Sequence, residues 1–182
     1  MNENQLSRAK KDILEVLDKL EIQTMNDPEK KTMFGAYVEL ADIAGMMMTV
    51  CLYVTIKDKN EIVTLEIEMQ DEMGEDKIVQ VMELINLINR QSIVGHLFVH
   101  LRDRTVFFKK DINLVNGRLN KLELEWSINH LLANAAFYSV NIQYIFTEFY
   151  CVLKVRLNSM QVGQISCLLH LNLHIVIRCH NI

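Results

Sequence analysis

No G-x-S-x-G, P-loop, G-x-G-x-x-G or H-E-x-x-H pattern occurs in this sequence, and no serine or cysteine has a persuasive base beside it along the chain. Those patterns carry nucleophile elbows, phosphate cradles, dinucleotide turns and zinc-bound hydrolytic water. Without them the sequence points to a non-catalytic protein, the alternative being an enzyme whose site is dispersed along the chain. Positive charge is also short: 19 Lys and Arg stand against 23 Asp and Glu, a net charge of -4, with a pI near 5.9. Electrostatic binding of nucleic acid calls for a basic face and a high pI, so that class is set aside. The polar start MNENQLSRAKKD has no apolar leader. No stretch offers the roughly 20 uninterrupted apolar residues of a membrane span. The sequence therefore predicts a cytoplasmic protein with neither a nucleic-acid nor a membrane partner.

There are four cysteines and no CxxC. Cys51 stands in an apolar run, and Cys151, Cys167 and Cys179 fall in the last 32 residues. In a reducing compartment these are expected to be inert thiols, because disulfide scaffolds belong to small secreted chains. Residues 151–182 lack Asp and Glu altogether yet hold His170, His174 and His180. That shift in composition divides the chain into a single domain over 1–150 and an atypical extension over 151–182. Cys167, His170, His174 and Cys179 have metal-like residue types. The alternation Leu169-His170-Leu171-Asn172-Leu173-His174 favours a strand that separates the two histidines along it.

Half of the residues are hydrophobic, ample for one continuous core. The stretch KIVQVMELINLINRQSIVGHLFVHLRDRTVFFKK, from Lys77 to Lys110, reads as helix, turn, strand, hairpin and strand. Ile78, Val81, Met82, Ile85 and Ile88 recur at helical spacing, and alternation takes over after Gly95. Upstream, Leu6, Ala9, Ile13, Leu17 and Leu20 mark a helix over about 5–20, and a turn follows at Asn26-Asp27-Pro28-Glu29. Strands are expected over 33–40, 46–56 and 61–70, the last with Val63, Leu65, Ile67 and Met69 on its dry face. Lys57-Asp58-Lys59-Asn60 is a turn, and Ala41 to Gly45 is a second, less plain one. After the helix over 75–91 come strands over 95–101 and 105–110, a loop over 113–120, and an apolar helix starting near Lys121. The order α-β-β-β-α-β-β-α lacks strand–helix alternation and predicts an α+β fold, an antiparallel sheet of about five strands with helices packed on it.

Ile85-Asn86-Leu87-Ile88-Asn89-Arg90, with an Asn-x-x-Asn helix end, Gly95 and the strand it opens, and Phe107-Phe108-Lys109-Lys110-Asp111 together resemble the YbjN-like family, the bacterial sensory transduction regulators. The resemblance covers about residues 10–150. It implies a fold like that of type III secretion chaperones, no catalysis, no cofactor, and a regulatory role exercised through another protein.

Ten residues are candidates for protein interaction. Asn86 and Asn89 share a helix face where their amides either hold a partner's backbone or bond the last turn or the neighbouring strand. Phe98, Arg102, Arg104, Phe108 and Lys109, with Lys110 and Phe107 beside them, form a basic, aromatic hairpin that is either a patch for an acidic partner or a solvated face. Leu124, Ile128 and Leu131 spread over a wide arc of the last helix, predicting a homodimer that hides them. His96 and His100 lie four residues apart on a strand, about 13 Å, too far to share a metal. The carboxylates from Glu66 to Asp76 lack the ligand order of an EF-hand and read as a wet sheet edge.

Overall fold

A computed structural model describes residues 1–25, 32–41, 47–70, 73–90, 92 and 94–146, with side chains as far as Tyr138 except that of Gln70. The turn expected at residues 26–29, most of the one at 41–45, the boundary at 150 and all of 151–182, with Cys167, His170, His174 and Cys179, lie outside the described residues.

Helix α1 (Glu3–Lys19) begins two residues before the expected start near residue 5, because Asn2 and Gln5 close a capping box. The Asn2 side chain accepts from the Gln5 N–H at 2.9 Å, and the Gln5 side chain accepts from the Asn2 N–H at 2.8 Å. Two end-of-helix donors are thereby satisfied. Ala9, Ile13, Val16 and Leu17 are its buried stripe, while Leu6 and Leu20 pack at the margin.

Strands β1 (Met33–Ala41), β2 (Met47–Lys57), β3 (Ile62–Gln70), β4 (His96–His100) and β5 (Thr105–Asn113) form one antiparallel sheet in the order β1-β2-β3-β5-β4. The first three make the expected meander. The β4–β5 hairpin then joins through its second strand, leaving β4 at the edge. β5 runs three residues past the expected end at Lys110. Asp111, Ile112 and Asn113 pair with Thr64, Val63 and Ile62, and the Thr64 hydroxyl donates to Asp111 Oδ1 at 2.7 Å.

Between β3 and β4 comes a single 3-10 turn (Glu75–Lys77), then α2 (Ile78–Asn89), so the regular helix is shorter at both ends than expected. Its buried residues are Val81, Leu84, Ile85 and Ile88, whereas Met82 is exposed. The last helix, α3 (Lys121–Phe146), crosses the sheet between the other two helices and contacts β1, β3 and β5.

All three helices share one core with a single sheet face: Phe34, Ala36, Val38 and Leu40, then Val50, Leu52, Val54 and Ile56, then Val63, Leu65, Ile67 and Met69, with Val106, Phe108, Ile112 and Leu97. Strand periodicity of two sends every second residue to that face, so the dry set of β3 read from the sequence is the observed one.

Candidate protein-interaction surface

The register determines what the second sheet face presents. Its side chains are Tyr37 and Glu39 on β1, Cys51 and Tyr53 on β2, Thr64, Glu66 and Glu68 on β3, Phe107, Lys109 and Asp111 on β5, and His96, Phe98 and His100 on β4. Most are half-buried or exposed, Tyr37 at 48%. Phe98 and Phe107 face each other across the β4–β5 pair with ring centroids 5.4 Å apart and planes within 17°. Stacked pairs of this kind hold their geometry by ring electrostatics as well as by contact. Around them lies charge: Lys109 Nζ stands 3.8 Å from Glu66 and 3.9 Å from Asp111. The Tyr53 hydroxyl donates to Glu68 Oε2 at 3.2 Å. Partial burial, then Cys51 and Glu68 beside it, raise the Tyr53 phenol above its ordinary range and keep it a neutral donor.

Of the ten candidates, Phe98 and Lys109 meet on this face. Phe108 does not. It is fully buried, edge-on to Tyr138 with centroids 6.0 Å apart, so the aromatic on the open face is Phe107. Burial also pushes the Tyr138 phenol up to about 12. Two adjacent phenylalanines must point to opposite faces; the inward set Phe108, Ile112 was the signal that distinguished them. Tyr37 and Tyr53 were missed because alternation alone does not say that β2 and β3 bring their outward residues beside β5.

Leu124, Ile128 and Leu131 are corrected as well. Each is 0% exposed, as are Leu132 and Ala135, because α3 crosses the sheet with α1 beside it and fills the monomer's own core. The premise that one monomer cannot hide these residues is overturned. Among the described residues, the large apolar side chains that α3 leaves outside are Leu122 at 75% and Trp126 at 45% exposure. The Trp126 ring lies 4.0 Å from that of His130, and Lys110 Nζ sits 4.8 Å from its centroid, a cation–π contact.

Asn86 and Asn89 part company. Asn86 is exposed, whereas Asn89 is half-buried and grips the edge strand. Its Nδ2 donates to the Leu97 carbonyl at 2.8 Å, and its Oδ1 accepts from the Leu97 N–H at 2.7 Å. The amide thus stands in for a neighbouring strand at that residue and closes part of the β4 edge. On the other side of β4, Gly95 allows the chain to enter the strand close against β5. Its φ is +70°, and a Cβ there would lie 2.5 Å from the Lys109 carbonyl oxygen.

Arg102 is exposed in the β4–β5 turn. Arg104 has φ 53° in the same turn, and its carbonyl accepts from the Met73 N–H at 3.0 Å, a structural placement. His96 and His100 occupy the two ends of β4, His100 beside Asp103 at 2.6 Å. Among the described residues no three His, Cys, Asp or Glu side chains converge as a metal site.

No curated protein matches the sequence. A chain of the solved structure titled "Structure of the HopA1-SchA Chaperone-Effector Complex" is similar in fold, with a TM-score of 0.50 and 14% identity. The match covers 74% of this chain and 94% of that one. The α+β fold is thus of the type III secretion chaperone kind, as the sequence resemblance implied. The YbjN family model, described as "Putative bacterial sensory transduction regulator", matches residues 39–138, from near the end of β1 into α3. That span is more than half of the chain and contains the whole Asn89–Leu97 latch and the Phe98–Phe107 face; the chain belongs to the YbjN family.

Proposed function

We propose that this protein is a non-catalytic, cytoplasmic regulator that works by holding a segment of another protein against the open face of its sheet. The observation that carries the reading is the Phe98–Phe107 stack on a face without a helical layer among the described residues. Large aromatic side chains left on a surface and ringed by charge are characteristic of protein-binding patches. The YbjN description and the chaperone–effector neighbour support a binding role. Among the described residues no helix is long and apolar enough to cross a membrane. Self-association is proposed through this same face, since α3 has its apolar side buried against its own sheet.

The test pairs capture with substitution. Wild-type protein should retain a partner from its host that the double variant Phe98→Ser, Phe107→Ser loses, with the far-ultraviolet circular dichroism of the two proteins superimposable. Hydrogen exchange should show protection on β4 and β5 when that partner is bound. Reproducible turnover of a small molecule, abolished by a single side-chain change, would instead establish the dispersed-site enzyme.

A further inference from the structure

The sheet has a second, smaller opening, at the outer edge of β5. Pairing between β4 and β5 ends at His96 opposite Lys109, but β5 continues to Asn113. The direction of its backbone groups there follows from the register. Ile62 is opposite Asn113, and the Leu114 N–H donates to the Glu61 carbonyl at 2.7 Å. Since hydrogen-bonded and non-hydrogen-bonded pairs alternate in an antiparallel ladder, Lys110, Ile112 and Leu114 turn their N–H and C=O toward β3. Asp111 and Asn113 turn theirs the other way, to the side β4 has vacated. Both residues are exposed, and among the described residues nothing bonds the outward backbone groups of either.

The two other sheet edges are treated differently. The β1 edge is met at Gly35, whose carbonyl accepts from the Met25 N–H at 2.7 Å, and the β4 edge is met at Leu97 by Asn89. Uncovered ladder groups are a template for another strand. Over this stretch, on the helix side, stands Lys110 with Trp126. The Lys110 ammonium has the Trp126 ring as its partner and no carboxylate beside it among the described residues.

We propose that the Lys110–Asn113 edge of β5 takes a short extended segment of another polypeptide, bearing a carboxylate and an apolar side chain two residues apart. Backbone pairing with Asp111 and Asn113 supplies up to four hydrogen bonds. Residues of the added strand opposite Lys110 and Ile112 fall on the helix face. There a carboxylate complements the unpaired ammonium and an apolar group lies against Trp126. The segment is short because Gly95 and His96 block the line of the strand at one end. This deepens the protein-binding reading above and rests on it, at a different place on the sheet.

Trp126 is the sole tryptophan, so its emission reports this site alone. The probe is the capped hexapeptide acetyl-Thr-Val-Thr-Val-Thr-Glu-amide, titrated into the full chain; antiparallel to β5 it sets Glu opposite Lys110, a Val opposite Ile112 and the threonine between them opposite Asp111, whose carbonyl takes that threonine's N–H. The expected result is a saturable blue shift with sub-millimolar affinity. The shift should be lost when the threonine between Glu and Val becomes proline, and affinity should weaken about tenfold with Glu replaced by Gln in the peptide or with Lys110→Gln in the protein, as loss of about one charge-assisted contact predicts. Emission unmoved at millimolar peptide, or equal binding of the proline peptide, overturns the proposal. So does emission that shifts with the protein's own concentration, which would put a second copy on this edge. A captured partner that protects β4 and the Phe98–Phe107 face while leaving Trp126 emission unchanged would overturn the edge site and leave the binding function standing.

Discussion

Replacing Asn89 by alanine tests how far one side chain secures the edge of this sheet. The variant removes two hydrogen bonds, 2.8 and 2.7 Å long, and leaves the Leu97 N–H and C=O without their partner. A neutral hydrogen bond contributes about 1 kcal/mol net, so the pair contributes about 2 kcal/mol. Water can reach the half-buried site in part, which lowers the loss, while the loosened contact between α2 and β4 raises it; about 1–3 kcal/mol brackets the result. For a domain of this size each kcal/mol moves the melting midpoint by about 2–4 °C, hence a fall of about 4–8 °C at the centre of that range. Urea unfolding followed by circular dichroism should show the midpoint lowered at unchanged slope. Hydrogen exchange should show the Leu97 amide losing more protection than the global unfolding free energy does. Asn86→Ala, three residues earlier but exposed, should stay within about 0.5 kcal/mol of wild type. An Asn89→Ala protein as stable as Asn86→Ala would refute the latch.

Leu131→Glu places a charge in a site that is 0% exposed and should unfold the domain, a loss of about 4 kcal/mol or more, seen as collapse of the circular dichroism signal. A folded, monomeric Leu131→Glu protein would return α3 to the role of dimer interface. Lys121 joins α3 to α1 through Glu15 and through Asp12 at 3.1 Å. Its hydrogen bond, then its charge, lowers the Glu15 carboxyl, and the bonds from Glu15 and Asp12 raise the Lys121 ammonium. A lowered carboxyl stabilises above its unfolded value and ceases to as pH falls through the folded one. A raised ammonium stabilises below its unfolded value and ceases to as pH rises through the folded one. Lys121→Met should therefore be slightly less stable than wild type near neutral pH, in a salt-sensitive way, with the difference closing below the ordinary carboxylate range and above the ordinary lysine range. A difference that is constant with pH would remove the ion pair as its cause.

The candidate surface was half legible in the sequence. Phe98 and Lys109 could be placed because β4 and β5 alternate plainly and are joined by a short turn. Asn89 could be flagged as a helix-end amide, with the neighbouring strand among its two expected partners. Phe108 and the three α3 residues were misplaced for one reason: apolar side chains at a surface and in a core have the same chemistry. Only the area that a neighbouring element covers distinguishes them. A 26-residue helix broad in its apolar arc suits a dimer interface or, as here, a place on the sheet with a helix packed on each side of it.

What the sequence by itself determined is the local geometry: which stretches are helix or strand, their order, and which residues of β3 are dry. Backbone period and side-chain alternation follow from steric rules that act between near neighbours, so they are written in consecutive residues. The lateral order of the strands is not. Whether β4 or β5 joins β3 depends on which pairing buries more of the sheet under α2 and α3, a sum over contacts far apart in the chain. That choice put Phe107 beside Glu68, set Asn89 against Leu97, and left the end of β5 beside Lys110 and Trp126 without a neighbouring strand among the described residues.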